Sequence, residues 1–217
     1  VGGGSVIDLA KGTAARVSNH RKTIKKMRGV LKVPHKLIPV YAVPTTAGSG
    51  SEATIAAVIS DEVTHEKGAI NDPKLVPQVA VLNPRLTVTL PPYLTATTGL
   101  DALTHAIEAY IGRSNTRRTK KDAIEATRLI VNNLEEAVVN PTNLTARQNM
   151  QLGAFLGGCA FTRAYVGYVH AIAHQLGGLY NVPHGEANAI LLPYVLEAYG
   201  EKGDKKLKKL ARKIGQP

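Results

Sequence analysis

The distribution of hydrophobic and polar residues divides the chain into two parts. Before about residue 92, short apolar runs alternate with turns, which predicts strands over 37–43, 54–59, 68–70 and 79–82 and a helix over 5–17. After the pair of prolines at 91–92 the periodicity becomes helical. The predicted helices are 93–112, 119–138, 145–164, 166–178, 186–200 and 203–214. The pattern therefore predicts an α/β N-terminal domain over 1–93 and an all-α domain over 94–217.

Several side chains in the helical part have the chemistry and spacing of a divalent-metal site. Asp101 and His105 are four residues apart, as are His170 and His174, so each pair lies on one face of its predicted helix. Both segments are otherwise rich in Ala, Leu and Ile, and ionisable groups on such faces are costly unless they are paired or metal-bound. His184 follows after a proline. One carboxylate and several imidazoles favour a metal site, while the alternative is that each histidine is a core residue satisfied by a hydrogen bond.

Two glycine-rich loops in the first part are candidates for contact with a phosphate-bearing ligand. Gly2, Gly3, Gly4 and Ser5 precede the first predicted helix, where free N–H groups and the positive end of the helix dipole favour a pyrophosphate. The second loop, 44–54, follows a strand and is dense in glycines and hydroxyl groups. The first loop does not match Gly-x-Gly-x-x-Gly. Either loop is also compatible with an ordinary surface turn.

Composition narrows the class of protein. The chain has 217 residues, of which 44% are hydrophobic, enough for one large domain or two small ones. The single cysteine, Cys159, excludes an intrachain disulfide and lies in a small-residue run typical of core packing. No apolar run approaches the roughly 20 residues of a membrane span, and the N-terminus shows no signal-peptide pattern. We therefore expect a cytoplasmic protein without membrane contacts.

The net charge of +11 raises the question of nucleic-acid binding. The basic residues cluster at 21–28, 117–121 and 202–213, and the last cluster has apolar residues at helical spacing, which is typical of an amphipathic helix with a solvated basic face. Aromatic residues make up 5% of the chain and do not alternate with the basic runs as a stacking surface requires. We therefore expect no nucleic-acid partner, although a basic surface attracts phosphorylated cofactors.

Four blocks in fixed order make the chain resemble a known enzyme family. The blocks are Val-Gly-Gly-Gly-Ser-Val-Ile-Asp, Pro-Thr-Thr-Ala-Gly-Ser-Gly-Ser-Glu, Gly-Leu-Asp-Ala-Leu-Thr-His-Ala-Ile-Glu and His-Ala-Ile-Ala-His-Gln-Leu-Gly-Gly-Leu-Tyr-Asn-Val-Pro-His-Gly. Together they are similar to the iron-containing (group III) alcohol dehydrogenase family, which shares its fold with glycerol dehydrogenase and dehydroquinate synthase. The resemblance implies an α/β part with a partial parallel nucleotide-binding sheet, followed by an all-α metal-binding domain. The active site is expected in the cleft between them.

The resemblance also implies roles for individual residues. The metal ligands of the family fall on Asp101, His105, His170 and His184, and the metal is Fe²⁺ or Zn²⁺, both compatible with these donors. His174 matches the histidine beside the nicotinamide and is the candidate catalytic residue for proton transfer. The remaining implied positions are the pyrophosphate turn at Gly2, Gly3, Gly4 and Ser5, cofactor contacts at Thr45, Thr46, Ser49, Thr54 and Lys67, and a substrate-pocket position at Phe161.

The implied reaction is hydride transfer between an alcohol or aldehyde and NAD or NADP, with the metal polarising the alcohol oxygen. Family members extend beyond these blocks on both sides, so the chain resembles a family member truncated at both ends. Unpaired strand edges and uncovered apolar helix faces are then expected to favour a homo-oligomer. Two alternatives stay open: a metal-binding fragment with no redox activity or an altered one, and a non-catalytic structural piece.

Overall fold

The structure, a computed structural model, describes residues 1–60 and 67–216, with only the backbone of Lys67. The first part contains α1 (Gly4–Ser18), α2 (Ile24–Met27), β1 (Gly29–Val30), β2 (Tyr41–Ala42), β3 (Ala56–Ser60), β4 (Lys67–Asn71) and β5 (Val79–Ala80). The second part contains α3 (Pro92–Ile111), α4 (Arg117–Val139), α5 (Leu144–Ala164), α6 (Tyr168–Tyr180), α7 (His184–Ala198) and α8 (Gly200–Ile214). The predicted order, an α/β part followed by an all-α part, is confirmed.

Within the described residues the strands form two small sheets, β1–β4–β3 and β2–β5. β1 pairs in parallel with β4, and β2 pairs in parallel with β5, in agreement with the expected partial parallel sheet. β3 and β4 instead pair antiparallel, because only residues 61–66 separate them and a parallel crossover needs a dozen or more residues. The strand predicted over 37–43 is reduced to Tyr41–Ala42, since Pro39 has no N–H to donate to a ladder.

The helices of the second part were better predicted, and each end differs from the prediction by three residues or fewer. α3 begins at Pro92, where the periodicity changes, and the division into domains 1–93 and 94–217 stays a prediction. α3 is central and packs against α4, α5 and α7. None of the helices in the described chain is both long and apolar enough to cross a membrane.

Small residues bring the helices of the second part close together. One core cluster joins α3, α4 and α5 through Ala102, Ile130, Met150 and Ala154, all buried. A second cluster joins α3 to the last three helices and includes buried residues Val169, Leu192, Val195 and Leu210. Because α3 belongs to both clusters, its position is fixed on several sides, and side chains on its buried face are held in defined places.

The loop 44–55 connects the two parts of the structure. The amide of Gln151 on α5 donates to the carbonyl of Pro44 at 3.0 Å, and the backbone N–H of Ile55 donates to the hydroxyl of Thr162 at 3.0 Å. On its other side the loop lies against the N-terminus of α1. The loop that carries the predicted cofactor contacts is therefore held between α1 and α5.

Candidate metal centre

Three helices bring the predicted metal ligands together. Asp101 and His105 lie one turn apart on α3, His170 lies in the first turn of α6, and His184 is the first residue of α7. Asp101, His105 and His170 are buried, whereas the side chain of His184 is 38% exposed. The i,i+4 relation explains the first pair, but only the packing of α6 and α7 on α3 brings the other two histidines to the same place.

The spacing of three of these side chains fits a single divalent cation. Asp101, His170 and His184 each offer a ligand atom, and these atoms lie within 4.8 Å of one another. Oδ1 of Asp101 is 3.5 Å from Nε2 of His170 and 3.5 Å from Nε2 of His184. Two ligands about 2.1 Å from a tetrahedral ion are separated by about 3.4 Å, so these atoms are spaced for one ion.

The charge state of Asp101 suits a ligand. Burial acts to raise the pKa of this carboxyl, but the neighbouring His105, His170 and His184 outweigh burial and the pKa is lowered. Asp101 is therefore an ionised carboxylate at neutral pH. An ionised oxygen together with imidazole nitrogens is a donor set that suits Fe²⁺ or Zn²⁺.

His105, the fourth predicted ligand, lies beside this group. Its ring stacks against Phe161 and against His170, with centroid distances of 4.2 and 4.3 Å. Burial lowers its pKa to about 3, so the imidazole is neutral and keeps a lone pair for a ligand. Its Nδ1 is buried and has no hydrogen-bond partner among the described residues, and an orphaned ring nitrogen of this kind favours a bound cation nearby.

Glu108 orients His170 and was missed by the sequence reasoning. Its Oε2 lies 2.7 Å from Nδ1 of His170 and accepts the N–H of Gly167 at 2.8 Å, while its Oε1 accepts the N–H of Val169 at 2.8 Å. This contact holds a proton on Nδ1 and directs Nε2 towards Asp101, as in carboxylate–histidine–metal arrangements. The sequence could have identified this residue, because Glu108 follows Asp101 by seven residues on the same helix face.

His170 is held by carboxylates on both sides. Burial acts to lower its pKa, but the hydrogen bonds and charges of Asp101 and Glu108 raise it to about 9. A cation and a proton therefore compete for Nε2 of this side chain, so metal binding at this centre is coupled to proton release.

Asn188 is a second residue that the sequence reasoning missed. It lies on α7, one turn after His184, and is fully buried. Its Nδ2 donates to Oδ1 of Asp101 at 2.6 Å and lies 3.3 Å from Nε2 of His170 and 3.2 Å from Nε2 of His184. The sequence could have identified Asn188 by its position four residues after His184, on the same helix face.

His174, the predicted catalytic residue, lies at the rim of this group. It is exposed, one turn beyond His170 on α6. Its ring stacks against that of His184 with a centroid distance of 4.9 Å, and its centroid is 6.3 Å from that of His170. An exposed imidazole beside a buried polar group is suited to proton exchange with water.

The glycine turn before α1 lies against the loop 44–55. The N–H of Gly2 donates to the carbonyl of Val43 at 3.1 Å, and the N–H of Thr45 donates to the carbonyl of Gly2 at 3.0 Å. Gly3 is the N-cap of α1, and Ser5, in the first turn, is exposed. The N-terminus of α1 therefore opens beside the second loop, in a position that favours an anion.

The close contact between the two loops depends on glycine. A Cβ at Gly3 would lie 3.3 Å from Cγ2 of Thr46, and a Cβ at Gly4 would lie 2.5 Å from Oγ of Ser49. The second distance is shorter than any ordinary contact, so a larger residue would push the loop away from the helix. The hydroxyl-bearing side chains of Thr46 and Ser49 are thereby held next to the helix N-terminus, where the pyrophosphate was expected.

Thr54 and Lys67 differ from the other predicted cofactor contacts. Thr54 is buried, and its carbonyl and hydroxyl accept hydrogen bonds from Nζ of Lys11 at 2.9 and 3.1 Å. This residue therefore holds the loop to α1. The side chain of Lys67 lies outside the described residues, so its predicted contact stays a prediction.

Both parts of the chain match models of one protein family. Residues 1–84 match the iron-containing alcohol dehydrogenase model, and residues 95–217 match the C-terminal model of the Fe-containing alcohol dehydrogenase family. The chain belongs to the iron-containing alcohol dehydrogenase family. The 1,3-propanediol dehydrogenase of Klebsiella pneumoniae is 46% identical over 195 residues, which cover 90% of this chain and 50% of that protein. The chain thus spans about half the length of the curated relatives it matches.

Solved structures agree with this membership. The alcohol dehydrogenase from Oenococcus oeni matches with a TM-score of 0.87 and 38% identity, over 100% of this chain and 63% of that one. The sulfoacetaldehyde reductase from Bifidobacterium kashiwanohense, solved in complex with NAD⁺, matches with a TM-score of 0.85 and 31% identity over the same shares. The family and the fold predicted from the four sequence blocks are therefore confirmed.

Proposed function

We propose that this chain carries the metal centre and part of the cofactor site of an NAD(P)-dependent alcohol or aldehyde oxidoreductase. The observation that carries the proposal is the group of ligand atoms from Asp101, His170 and His184, which come from three helices of an iron-containing alcohol dehydrogenase fold. Asp101 and His170 are buried, and His184 is partly exposed. The relatives named as propanediol and alcohol dehydrogenases support an alcohol or the corresponding aldehyde as the substrate class.

The residues of the centre have separable roles in this proposal. Asp101, His170 and His184 would hold the cation, with His105 as the fourth ligand. Glu108 keeps the proton on Nδ1 of His170, so that Nε2 offers its lone pair. A divalent cation bound there, Fe²⁺ or Zn²⁺, supplies a Lewis acid for the oxygen of the alcohol or aldehyde. Burial of Asp101, His105 and His170 strengthens the electrostatic contribution.

The other residues bind the cofactor and move the proton. The N-terminus of α1 and the hydroxyls of Thr46 and Ser49 would bind the pyrophosphate of NAD or NADP, and the bound cofactor would supply the hydride chemistry. His174, exposed and stacked on His184, would carry the substrate proton to water. Phe161, against His105, would present an apolar surface to the substrate.

The test is turnover on a panel of primary alcohols and aldehydes with NAD(H) and NADP(H), in metal-free protein resupplied with Fe²⁺ or Zn²⁺. We expect turnover only with metal, and its loss in His184→Ala. His35→Ala is the matched control, because His35 is exposed and its backbone N–H makes the hydrogen bond to Asn19. Stoichiometric metal binding without turnover would support a metal-binding fragment instead, and failure to bind metal would contradict both.

A further inference from the structure

The carboxamide of Asn188 lies among the atoms that would bind the cation. Its Nδ2 is 2.6 Å from Oδ1 of Asp101, 3.3 Å from Nε2 of His170 and 3.2 Å from Nε2 of His184. An amide nitrogen carries two hydrogens, whereas three atoms surround this one. Its strongest contact is with the ionised carboxylate, where the amide oxygen would be repelled.

The other end of the same carboxamide is unsatisfied. Oδ1 of Asn188 is buried and has no hydrogen-bond partner among the described residues. A buried polar atom without a partner is destabilising, and native proteins rarely keep one without a functional reason. An amide oxygen can also bind divalent cations, most often Mg²⁺, Ca²⁺ and Mn²⁺. One side chain therefore combines an unused ligand atom with a place inside the ligand group.

An amide N–H and a cation are incompatible partners for these atoms at the same time. Each brings positive charge to Oδ1 of Asp101 and to the two imidazole nitrogens, and the amide hydrogens would face the ion at short range. Turning the carboxamide about its terminal torsion removes this repulsion, because it exchanges the nitrogen for the oxygen. The low barrier of such terminal torsions makes the turn accessible without movement of α7.

We propose that Asn188 is a further residue of the metal centre, whose carboxamide turns when the cation binds, releasing the ligand atoms from its N–H groups and presenting Oδ1 to the ion. This inference rests on the proposed function, since it requires the cluster to bind a divalent cation. It adds a ligand that holds α7 to the ion through two consecutive turns, at His184 and Asn188.

The test is Zn²⁺ affinity, measured by competition with a chromophoric chelator, in two variants. One keeps an oxygen at the position of Oδ1, and the other removes it. Asn188→Asp keeps an oxygen at this position and removes the N–H groups, so we expect binding to tighten by about 10- to 100-fold. Asn188→Ala removes the oxygen, so we expect weakening of similar size. Asn149→Asp is the matched control, because Asn149 pairs with Asn133 between α5 and α4, and we expect it to leave the affinity unchanged.

Two spectroscopic measurements separate ligation from a packing role. The visible spectrum of the Co²⁺-loaded protein should change in intensity in Asn188→Ala, because the coordination number falls. In the wild type, the Asn188 side-chain NH₂ resonances should shift with one equivalent of Zn²⁺, while those of Asn19 stay in place, since that amide donates to the carbonyl of Ala15.

Unchanged Zn²⁺ affinity and an unchanged Co²⁺ spectrum in Asn188→Ala would overturn the inference and leave the proposed metal centre intact. If Asn188→Ala does not fold, Asn188→Asp and the wild-type resonances decide, and a failure of both to respond would overturn it equally. A wild-type protein that binds neither Zn²⁺ nor Co²⁺ would overturn the proposed function as well as this inference.

Discussion

At the scale of single residues, Glu108 determines how His170 faces the ligand group. Its side chain is fully buried, and its two oxygens lie within 2.8 Å of the ring nitrogen of His170 and the N–H groups of Gly167 and Val169. The first turn of α6 is thus tied to α3 by one carboxylate. Loss of that carboxylate would affect both the ring orientation of His170 and the start of α6.

We expect Glu108→Gln to weaken Zn²⁺ binding by about 10- to 100-fold, because a glutamine amide cannot accept from all three donors and no longer supports the proton on Nδ1. Chelator competition measures the change. Glu125→Gln is the control with the same chemistry, since the Glu125 carboxylate is 42% exposed and pairs with Arg128 on the surface of α4. Equal affinities for wild type and Glu108→Gln would show that Glu108 does not position the ligand.

The residues of the centre were predictable only in part, for a physical reason. Spacing along single helices identifies the pairs Asp101–His105 and His170–His174, and the resemblance to the family assigns the ligand roles, with His184 as the fourth ligand. Neither source indicates which side chain completes the hydrogen bonds of a ligand, because such partners come from any helix that packs nearby. Glu108 and Asn188 share helix faces with predicted ligands, yet their roles depend on the packing of α7 against α3 and of α6 against α7.

At the scale of elements, the contact between α5 and the loop 44–55 depends on two glycines. Gly50 has φ of +61°, and a Cβ at Gly158 would lie 2.7 Å from the carbonyl oxygen of Gly50. The neighbouring Gly157 is different, because a Cβ there would meet the carbonyl oxygen of Ala102 at an ordinary 3.5 Å.

We therefore expect Gly158→Ala to destabilise the protein by about 1–3 kcal/mol through overpacking against the loop. Gly157→Ala, one position away on the same helix, should be neutral or stabilising by up to about 1 kcal/mol, because alanine is the better helix former. Urea denaturation of both variants measures the difference. Equal destabilisation by the two substitutions would mean that the loop does not limit the space at α5.

α1 is tied to the same loop by a buried lysine. Nζ of Lys11 donates to the carbonyl and hydroxyl of Thr54 and to the carbonyl of Ala56, at distances of 2.9 to 3.1 Å. Burial lowers the pKa of Lys11 to about 8, although Asp8 and Glu52 act in the opposite direction. The folded protein thus releases this proton more readily than the unfolded chain, whose lysine keeps the usual pKa of 10.5.

Between about pH 8 and pH 10.5 the unfolded state binds more protons, so we expect the free energy of unfolding to rise with pH, by about 3 kcal/mol in all. The contribution is lost as the pH falls through 8. Denaturation curves at the two ends of this range, compared with Lys11→Arg, isolate the effect, because the guanidinium stays charged throughout. Parallel curves for the two proteins would contradict the lowered pKa.

The elements differed in how well the sequence predicted them. The long helices of the second part have many periodic positions, and each of those predictions came within three residues of the structure. The strands are two to five residues long, and two of the three pairings in the described residues, β1 with β4 and β2 with β5, join strands that are distant in sequence. β3 pairs antiparallel with β4 because their connection is short, and the strand near Pro39 is shortened because proline has no N–H to donate. A run of apolar residues indicates neither effect.

At the scale of the whole molecule, the two parts are joined where the chemistry is expected. The loop 44–55 contacts the glycine turn before α1 on one side and α5 on the other, through Gln151 and Thr162. α5 also carries Phe161, which stacks on His105. The loop with the predicted cofactor contacts and the candidate metal centre are therefore connected through a single helix. The resemblance to the family predicted an active site in the cleft between the two parts, but neither it nor periodicity predicted this connection through α5.

Exposed apolar side chains on α6 and α7 favour self-association. Leu179 is 73% exposed, Tyr180 is 72% exposed and Tyr194 is 68% exposed. Large apolar side chains at such exposure are typical of interaction surfaces. These exposures do not test the homo-oligomer expected from the sequence, which stays a prediction. They indicate which residues we expect at its interface.

We expect the chain to form an oligomer whose mass by size-exclusion chromatography with light scattering exceeds the 23.1 kDa of one chain and increases with concentration. The double substitution Leu179→Glu and Tyr180→Glu should return the mass towards that of a monomer, because paired charges oppose burial of these two positions. Val139→Glu is the control, since Val139 is 67% exposed at the end of α4, away from α6 and α7. A wild-type mass of one chain at every concentration would show the prediction to be wrong, and an oligomer that persists in the double variant would move the interface to another surface.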